Sequence, residues 1–220
     1  MNISRPLIFS LVLAAAMSVF AFVTASRLPA DAVLPTHWNA SGGADGFSPA
    51  LWALMMPAGM VAFVSLLFAT IPSIEPLQDR LENSAPVLRA TWIGMIFLFL
   101  IIQAVIALPT YGIALSVNSV LVGVGILILM LGNALPKSRP GLFVGIRTPW
   151  TLRDTDNWIA THRLGGKLAM LAGAAIILAS LFSVTPQTTT SVIVIGVFAM
   201  TIIPIFYSWW LSRRGAGLSE

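Results

Sequence analysis

A chain of 220 residues that is 57% hydrophobic and only 9% charged falls far below the roughly 25% charge of a soluble domain, so lipid must solvate most of it. Its formal charge of +4 and pI near 10.4 would suggest nucleic acid in a soluble protein, but here the basic residues lie in short loops beside apolar runs and set topology instead, so no direct nucleic-acid binding is expected. Cysteine is absent, which excludes disulfides, thiolate nucleophiles and Cys-based zinc sites.

Six stretches are near the roughly 20 apolar residues that cross a hydrocarbon core. The first runs from about Pro6 to Ala25. Its apolar run is longer than a secretory signal needs, so it is expected to stay as an anchor, although Val23-Thr24-Ala25 could serve as a cleavage site. The second runs from about Pro49 to Ile71, with Pro57 expected to kink it or to sit in a wide turn. The third covers Ala90 to Leu108, the fourth Ile113 to Leu135, the fifth Leu164 to Val184 and the sixth Ser191 to Leu211. The fold class is therefore an all-α integral membrane protein with six transmembrane helices. Its expected units are a two-span unit (1–71), a cytoplasmic linker (72–89) and a four-span unit (90–220).

Alternate loops differ sharply in Lys and Arg. Eleven of the twelve fall on one side: Arg5, Arg80, Arg89, Lys137, Arg139, Arg147, Arg153, Arg163, Lys167, Arg213 and Arg214. Arg27 alone falls on the other. Cytoplasmic loops carry the excess, so both termini are expected in the cytoplasm of a bacterial cell, in a multi-pass protein of the inner membrane. The linker pattern Leu77, Leu81, Leu88 suits either a short surface helix or a solvated connector. No ionisable residue lies well inside a span, which disfavours an ion-coupled transporter or an intramembrane protease. Gln103, Asn118 and Asn133 are candidates for interhelical hydrogen bonds, and Gly165, Ala169 and Gly173 form a small-residue stripe for close helix contact.

The outward loop, 26–48, mixes prolines with Asn39-Ala40-Ser41-Gly42-Gly43 and Asp45-Gly46, favouring extended backbone joined by tight turns. A compact outer cap results, with His37, Trp38, Asn39 and Asp45 as candidate ligand contacts. His37 with Asp45 or Asp31 is too sparse a ligand set for a metal, and no metal or other cofactor is expected. The inner loop, 136–163, holds the least generic run of the chain, Gly145-Ile146-Arg147-Thr148-Pro149-Trp150-Thr151-Leu152. Asp154 should cap a following helix, with Asp156 in its first turn complementing the dipole. Trp158, Thr161, His162 and Gly165 then share one face at helical spacing. The picture is an amphipathic juxtamembrane helix running into the fifth span, with Trp150 and Trp158 anchored at headgroup level. Asn133, Lys137, Arg147, Thr148, Pro149, Trp150, Trp158, Thr161, His162 and Arg163 are the candidate contacts of this face.

These runs resemble the SdpI-type bacterial immunity proteins. The resemblance rests on Gly145 to Leu152, Trp158, Thr161-His162-Arg163, Gly132-Asn133 and Pro136-Lys137. The outer loop is similar to the small N-terminal module found in that family, through Leu28-Pro29, Pro35 to Asn39, Gly42 and Asp45-Gly46. The resemblance implies a non-enzymatic protein that protects its cell from a secreted peptide toxin, and that captures a soluble winged-helix repressor when toxin is bound. The residues alone leave two alternatives open. One is an enzyme acting on lipid headgroups, using His162 as acid/base with Asp154 or Asp156 and with Arg147 on a phosphate, although Asp154 and His162 lie about 12 Å apart along a helix and would not pair directly. The other is a small transporter.

Overall fold

The computed structural model describes residues 3–74, 78–141, 144–182 and 185–216. Glu75 and Leu77 of the linker and Val184 at the end of the expected fifth span lie outside them, as do the side chains of 78–83. Six helices are long and apolar enough to cross a membrane. They are α1 (Ser4–Ala25), α2 (Ala50–Ile74), α3 (Gln78–Ala107), α4 (Asn118–Ala134), α6 (Thr155–Leu181) and α7 (Pro186–Ala216). A short α5 (Pro149–Arg153) precedes α6, and strands β1 (Val33–Trp38) and β2 (Ala44–Pro49) form an antiparallel hairpin between α1 and α2. The chain is an all-α membrane protein with a small hairpin cap.

Several limits moved. The third helix starts at Gln78, so residues 78–89 are its first turns. The fourth starts at Asn118 rather than near Ile113, where the Ser116 hydroxyl accepts the Asn118 N–H. The sixth begins at Pro186, so the expected turn 185–190 is mostly helix. The helix expected before the fifth span and the span itself are one unbroken α6. Neither Pro57 nor Pro204 interrupts its helix; each only forfeits the hydrogen bond of its missing N–H.

Small residues are prominent on the inner face of α1 and at the α4–α6 contact. The buried residues of α1 are Ser10, Ala14, Met17, Ala21 and Thr24, while Phe9, Val12, Phe20 and Phe22 are exposed. In lipid there is no hydrophobic gain from burying a large apolar side chain, so close packing of small ones decides which face turns inward. The pairing of α4 with α6 takes this furthest. A Cβ on Gly132 would lie 2.7 Å from the Gly166 carbonyl oxygen, and one on Gly173 would lie 2.6 Å from that of Gly125. Two reciprocal glycine contacts, seven residues apart on each helix, thus bring the two backbones together. Of the expected stripe, Ala169 packs with Ile128 and Ile176 and Gly173 meets Gly125, whereas Gly165 faces Ile146, Leu135 and Pro204.

Gln103 is buried, and its Nε2 donates to the backbone carbonyls of Met17 and Leu54, each at 3.0 Å. It ties α1, α2 and α3. Asn118 is half-buried and Asn133 is exposed, so Asn133 is not the buried helix–helix contact its position suggested. Gln103→Leu should cost about 1 kcal/mol, two intramembrane hydrogen bonds at about 0.6 kcal/mol each. Thermal unfolding in detergent checks this; a midpoint equal to wild type would deny the tie any energetic weight.

Candidate functional site

The six spans alternate in direction and give the bundle two ends. At one end lie the hairpin, the α3–α4 connection and the start of α7. Asn39 organises the hairpin turn: its Oδ1 accepts from the backbone N–H groups of Ser41 and Gly43 and from the Ser41 hydroxyl. Gly42 takes φ +83°, and its open side faces Val117. Thr24 Oγ1 lies 2.8 Å from the Tyr111 hydroxyl, and Arg27 sits over the same ring. A cavity of about 440 Å³ opens between these pieces, lined by Trp38, Asn39, Asn118, Leu121, Thr189 and Thr190 among others. Its lining is uncharged, half polar and half apolar in character, which suits a peptide better than an ion.

Of the four expected contacts, Trp38 and Asn39 line this cavity. His37 and Asp45 instead pair with each other across the hairpin, on its exposed face. Among the described residues no group of three His, Asp or Glu converges. Asn118, Thr189 and Thr190 were not singled out as cavity residues. The available signal was their polarity at the ends of otherwise apolar spans.

At the opposite end, the Gly145–Leu152 run lies across the starts of α6 and the later turns of α7. Gly145 has φ +118°, and a Cβ there would meet His162 Nε2 at 2.5 Å and the Trp158 ring at 2.6 Å. Only glycine satisfies both the backbone and the space. The next residue uses that closeness: the Ile146 N–H donates to His162 Nε2 at 2.8 Å. Nε2 is therefore an acceptor, and Nδ1 carries the proton and donates to the Trp158 carbonyl at 2.7 Å. The imidazole also stacks on the Trp158 indole at 4.0 Å.

Thr148 caps α5 with Pro149 at its first position, and exchanges hydrogen bonds with Thr151 in a reciprocal capping box. The Thr151 hydroxyl also donates to the Ile146 carbonyl. Thr148 Oγ1 lies 3.0 Å from Ser208 Oγ on α7. Asn157 Nδ2 donates to the Ser208 carbonyl at 2.8 Å, and its Oδ1 accepts from Thr161. Asp154 caps α6 as its position predicted, accepting from the N–H groups of Asp156 and Asn157. The Trp158 indole N–H reaches Ser138 Oγ at 3.2 Å, and Ser84 on α3 bonds both the N–H and the carbonyl of Arg139. Among the described residues no buried side-chain polar atom lacks a partner.

The ten expected contacts of this face therefore divide. Thr148, Trp158, Thr161 and His162 are buried, the last three completely. Trp158 is a core residue rather than a headgroup anchor, because the polar face of α6 meets the Gly145–Thr151 segment and α7 instead of water. Asn133, Lys137, Arg147, Pro149 and Arg163 are exposed, and Trp150 is half-buried. A general acid/base role does not suit His162: both ring nitrogens are taken by backbone groups, and the ring has no solvent-exposed edge. Ser208, Asn157 and Ser138 are the members not foreseen; Ser208 was visible only as a polar residue near the end of an apolar run, and Asn157 as one of several polar residues after Arg153.

Residues 137–208 match the SdpI/YfhL protein family, and residues 12–61 match a domain of unknown function, DUF1648. The first match covers the signature segment, α6 and most of α7; the second covers the hairpin with the later part of α1 and the first half of α2. The chain is 26% identical over 152 residues to the immunity protein SdpI of Bacillus subtilis (strain 168), covering 68% of this chain and 70% of that protein. No solved structure matches it.

Proposed function

We propose, for a chain that belongs to the SdpI/YfhL protein family through residues 137–208, a membrane immunity and signalling role. In this reading the hairpin-end cavity receives a secreted peptide toxin, and the opposite face reports its occupancy to a soluble repressor. The relative named an immunity protein supports the first half. The observation that carries the coupling is that one helix serves both faces. Thr189 and Thr190 of α7 line the cavity, and Ser208 of α7 receives Thr148 and Asn157 from the signature segment and α6. Thr190 and Ser208 are about 27 Å apart at 1.5 Å per helical residue. A peptide that binds one tilt of α7 more tightly than another changes how Ser208 meets Thr148 and Asn157, which is the differential affinity that signalling requires.

The exposed residues Asn133, Lys137, Arg147, Pro149 and Arg163, with the half-buried Trp150, form the proposed repressor-facing surface, with Thr148, Trp158, Thr161 and His162 as the frame beneath it. Trp38 and Asn39 are the proposed toxin contacts, with His37 and Asp45 holding the hairpin that presents them. The excess of basic residues at the signature end supports a cytoplasmic placement for it and for both termini, in the inner membrane of the bacterial cell.

Deleting the gene and challenging cells with peptides secreted by the same and neighbouring strains tests the role. At least one peptide should kill the deletion strain at concentrations about tenfold below those tolerated by the parent, a gap worth about 1.4 kcal/mol of binding, and the wild-type gene should restore tolerance. Unchanged sensitivity to every peptide would reject immunity.

A further inference from the structure

At the signature end of the bundle, α1 and α3 leave a groove of about 470 Å³ between them, lined by Arg5, Phe9, Arg89, Trp92, Ile93 and Ile96 among others. Its walls follow helical spacing. Arg5 and Phe9 are one turn apart on α1; Arg89, Ile93 and Ile96 are successive turns of α3. Trp92 and Ile96 are buried while Phe9 and Ile93 stand out on either side, so the groove is inset from the lipid-facing surface rather than a flat part of it.

Its polar groups are already accounted for, with two exceptions. The Trp92 indole N–H donates to Ser65 at 3.0 Å, and the Ser10 hydroxyl donates back to the Pro6 carbonyl. What remains is a hydrocarbon slot with two guanidiniums, Arg5 and Arg89, at its mouth. Both are exposed, and among the described residues neither has an ion-pair or hydrogen-bond partner. From Arg89 to Ile96 the slot runs about 10 Å into the apolar zone. A matching ligand is anionic at one end and hydrocarbon along its length. A zwitterionic lipid brings its own cation to the arginines and gains less there; a bare anion leaves the slot unfilled.

We propose that this groove binds one anionic glycerophospholipid, with its phosphate between Arg5 and Arg89 and one acyl chain along Phe9, Trp92, Ile93 and Ile96. Guanidinium groups bind phosphate oxygens with two parallel N–H donors each, which suits a lipid phosphate held from two sides. The site is independent of the immunity reading and needs only that these helix ends meet a lipid leaflet.

The test is native mass spectrometry of the full chain, purified from mixed phosphatidylglycerol and phosphatidylcholine. Wild type should retain one phosphatidylglycerol in preference to phosphatidylcholine. Arg5→Gln with Arg89→Gln should lower that preference about fivefold for each arginine, the expected effect of one basic residue on an anionic lipid. Ile93→Trp, which fills the groove and leaves both arginines, should abolish retention. Arg153→Gln, a basic residue elsewhere on the same end, should change nothing. Excess inorganic phosphate should leave the lipid bound. Equal retention of both lipids by wild type would overturn the site, as would full preference in the double variant or in Ile93→Trp. So would an equal loss in Arg153→Gln, which would mean bulk charge, or displacement by phosphate, which would mean a free-anion site.

Discussion

Gly145→Ala should destabilise the protein by about 2–6 kcal/mol, combining a left-handed backbone strain of about 1–3 kcal/mol with overpacking of about 1–3 kcal/mol. The added methyl group would meet His162 Nε2 at 2.5 Å and Trp158 at 2.6 Å, on a residue whose φ is +118°. Neither neighbour has room to yield: the His162 ring is held at both nitrogens and stacked on Trp158, and Trp158 is fully buried. The segment must therefore lift, breaking the Ile146–His162 bond. His162→Ala should reach a similar loss by another route, leaving the half-buried Ile146 N–H without its acceptor at up to about 1–3 kcal/mol, plus the cavity. Arg163→Ala serves as the comparison, an exposed residue next to His162 in sequence whose replacement should change the unfolding midpoint little. A Gly145→Ala midpoint equal to wild type would show that the segment is not clamped on α6.

The second large effect concerns the α4–α6 contact. Gly166→Val combined with Gly173→Val should prevent these helices from packing, at a cost of at least about 3 kcal/mol from two overpacked sites. The atoms in the way are backbone: a Cβ would sit 2.6 Å from the Gly132 carbonyl oxygen at one site and 2.6 Å from that of Gly125 at the other. Side chains can change rotamer, but a helix carbonyl moves only with its helix. The outcome is read as loss of protease resistance in detergent and a large fall in the unfolding midpoint. Gly59→Ala is the internal control, because nothing lies within 4 Å of a Cβ there. It should be neutral or stabilise by up to about 1 kcal/mol through helix propensity. If the double valine variant kept wild-type stability, the close approach of α4 to α6 would be wrong.

The six helices were legible because length and hydropathy report directly on a hydrocarbon core. Their ends were less so, as at Asn118, where a serine hydroxyl two residues upstream meets the helix start. Facing was hardly legible at all. Every side of α1 is apolar, and size marks the inner one only in part: Ser10, Ala14 and Ala21 are buried, but so is Met17, while Ala15 and Ala16 are exposed. The α6 face illustrates a different limit. Spacing correctly placed Trp158, Thr161, His162 and Gly165 together, but spacing does not say what a polar face meets. Here it meets the Gly145–Thr151 segment, so residues expected at a membrane surface form the interior of a hydrogen-bonded frame. Gly145 stood within the most distinctive run of the chain, yet its reason is a contact with residues 13 and 17 positions later, which no local pattern contains. At the hairpin end, the prolines and the turn residues of Asn39-Ala40-Ser41-Gly42-Gly43 and Asp45-Gly46 foretold the cap; the cavity depended on α4 and α7 coming to it from remote parts of the chain.

The proposed role requires that the hairpin cavity faces outward and receives a peptide. The absence of cysteine makes one measurement direct: the rate at which a membrane-impermeant maleimide labels Ser41→Cys in intact cells. Ser41 is exposed and lines the cavity. Labelling is expected without lysis, slowed when the peptide that kills the deletion strain is added. Labelling only after lysis, or at a rate that peptide leaves unchanged, would contradict it.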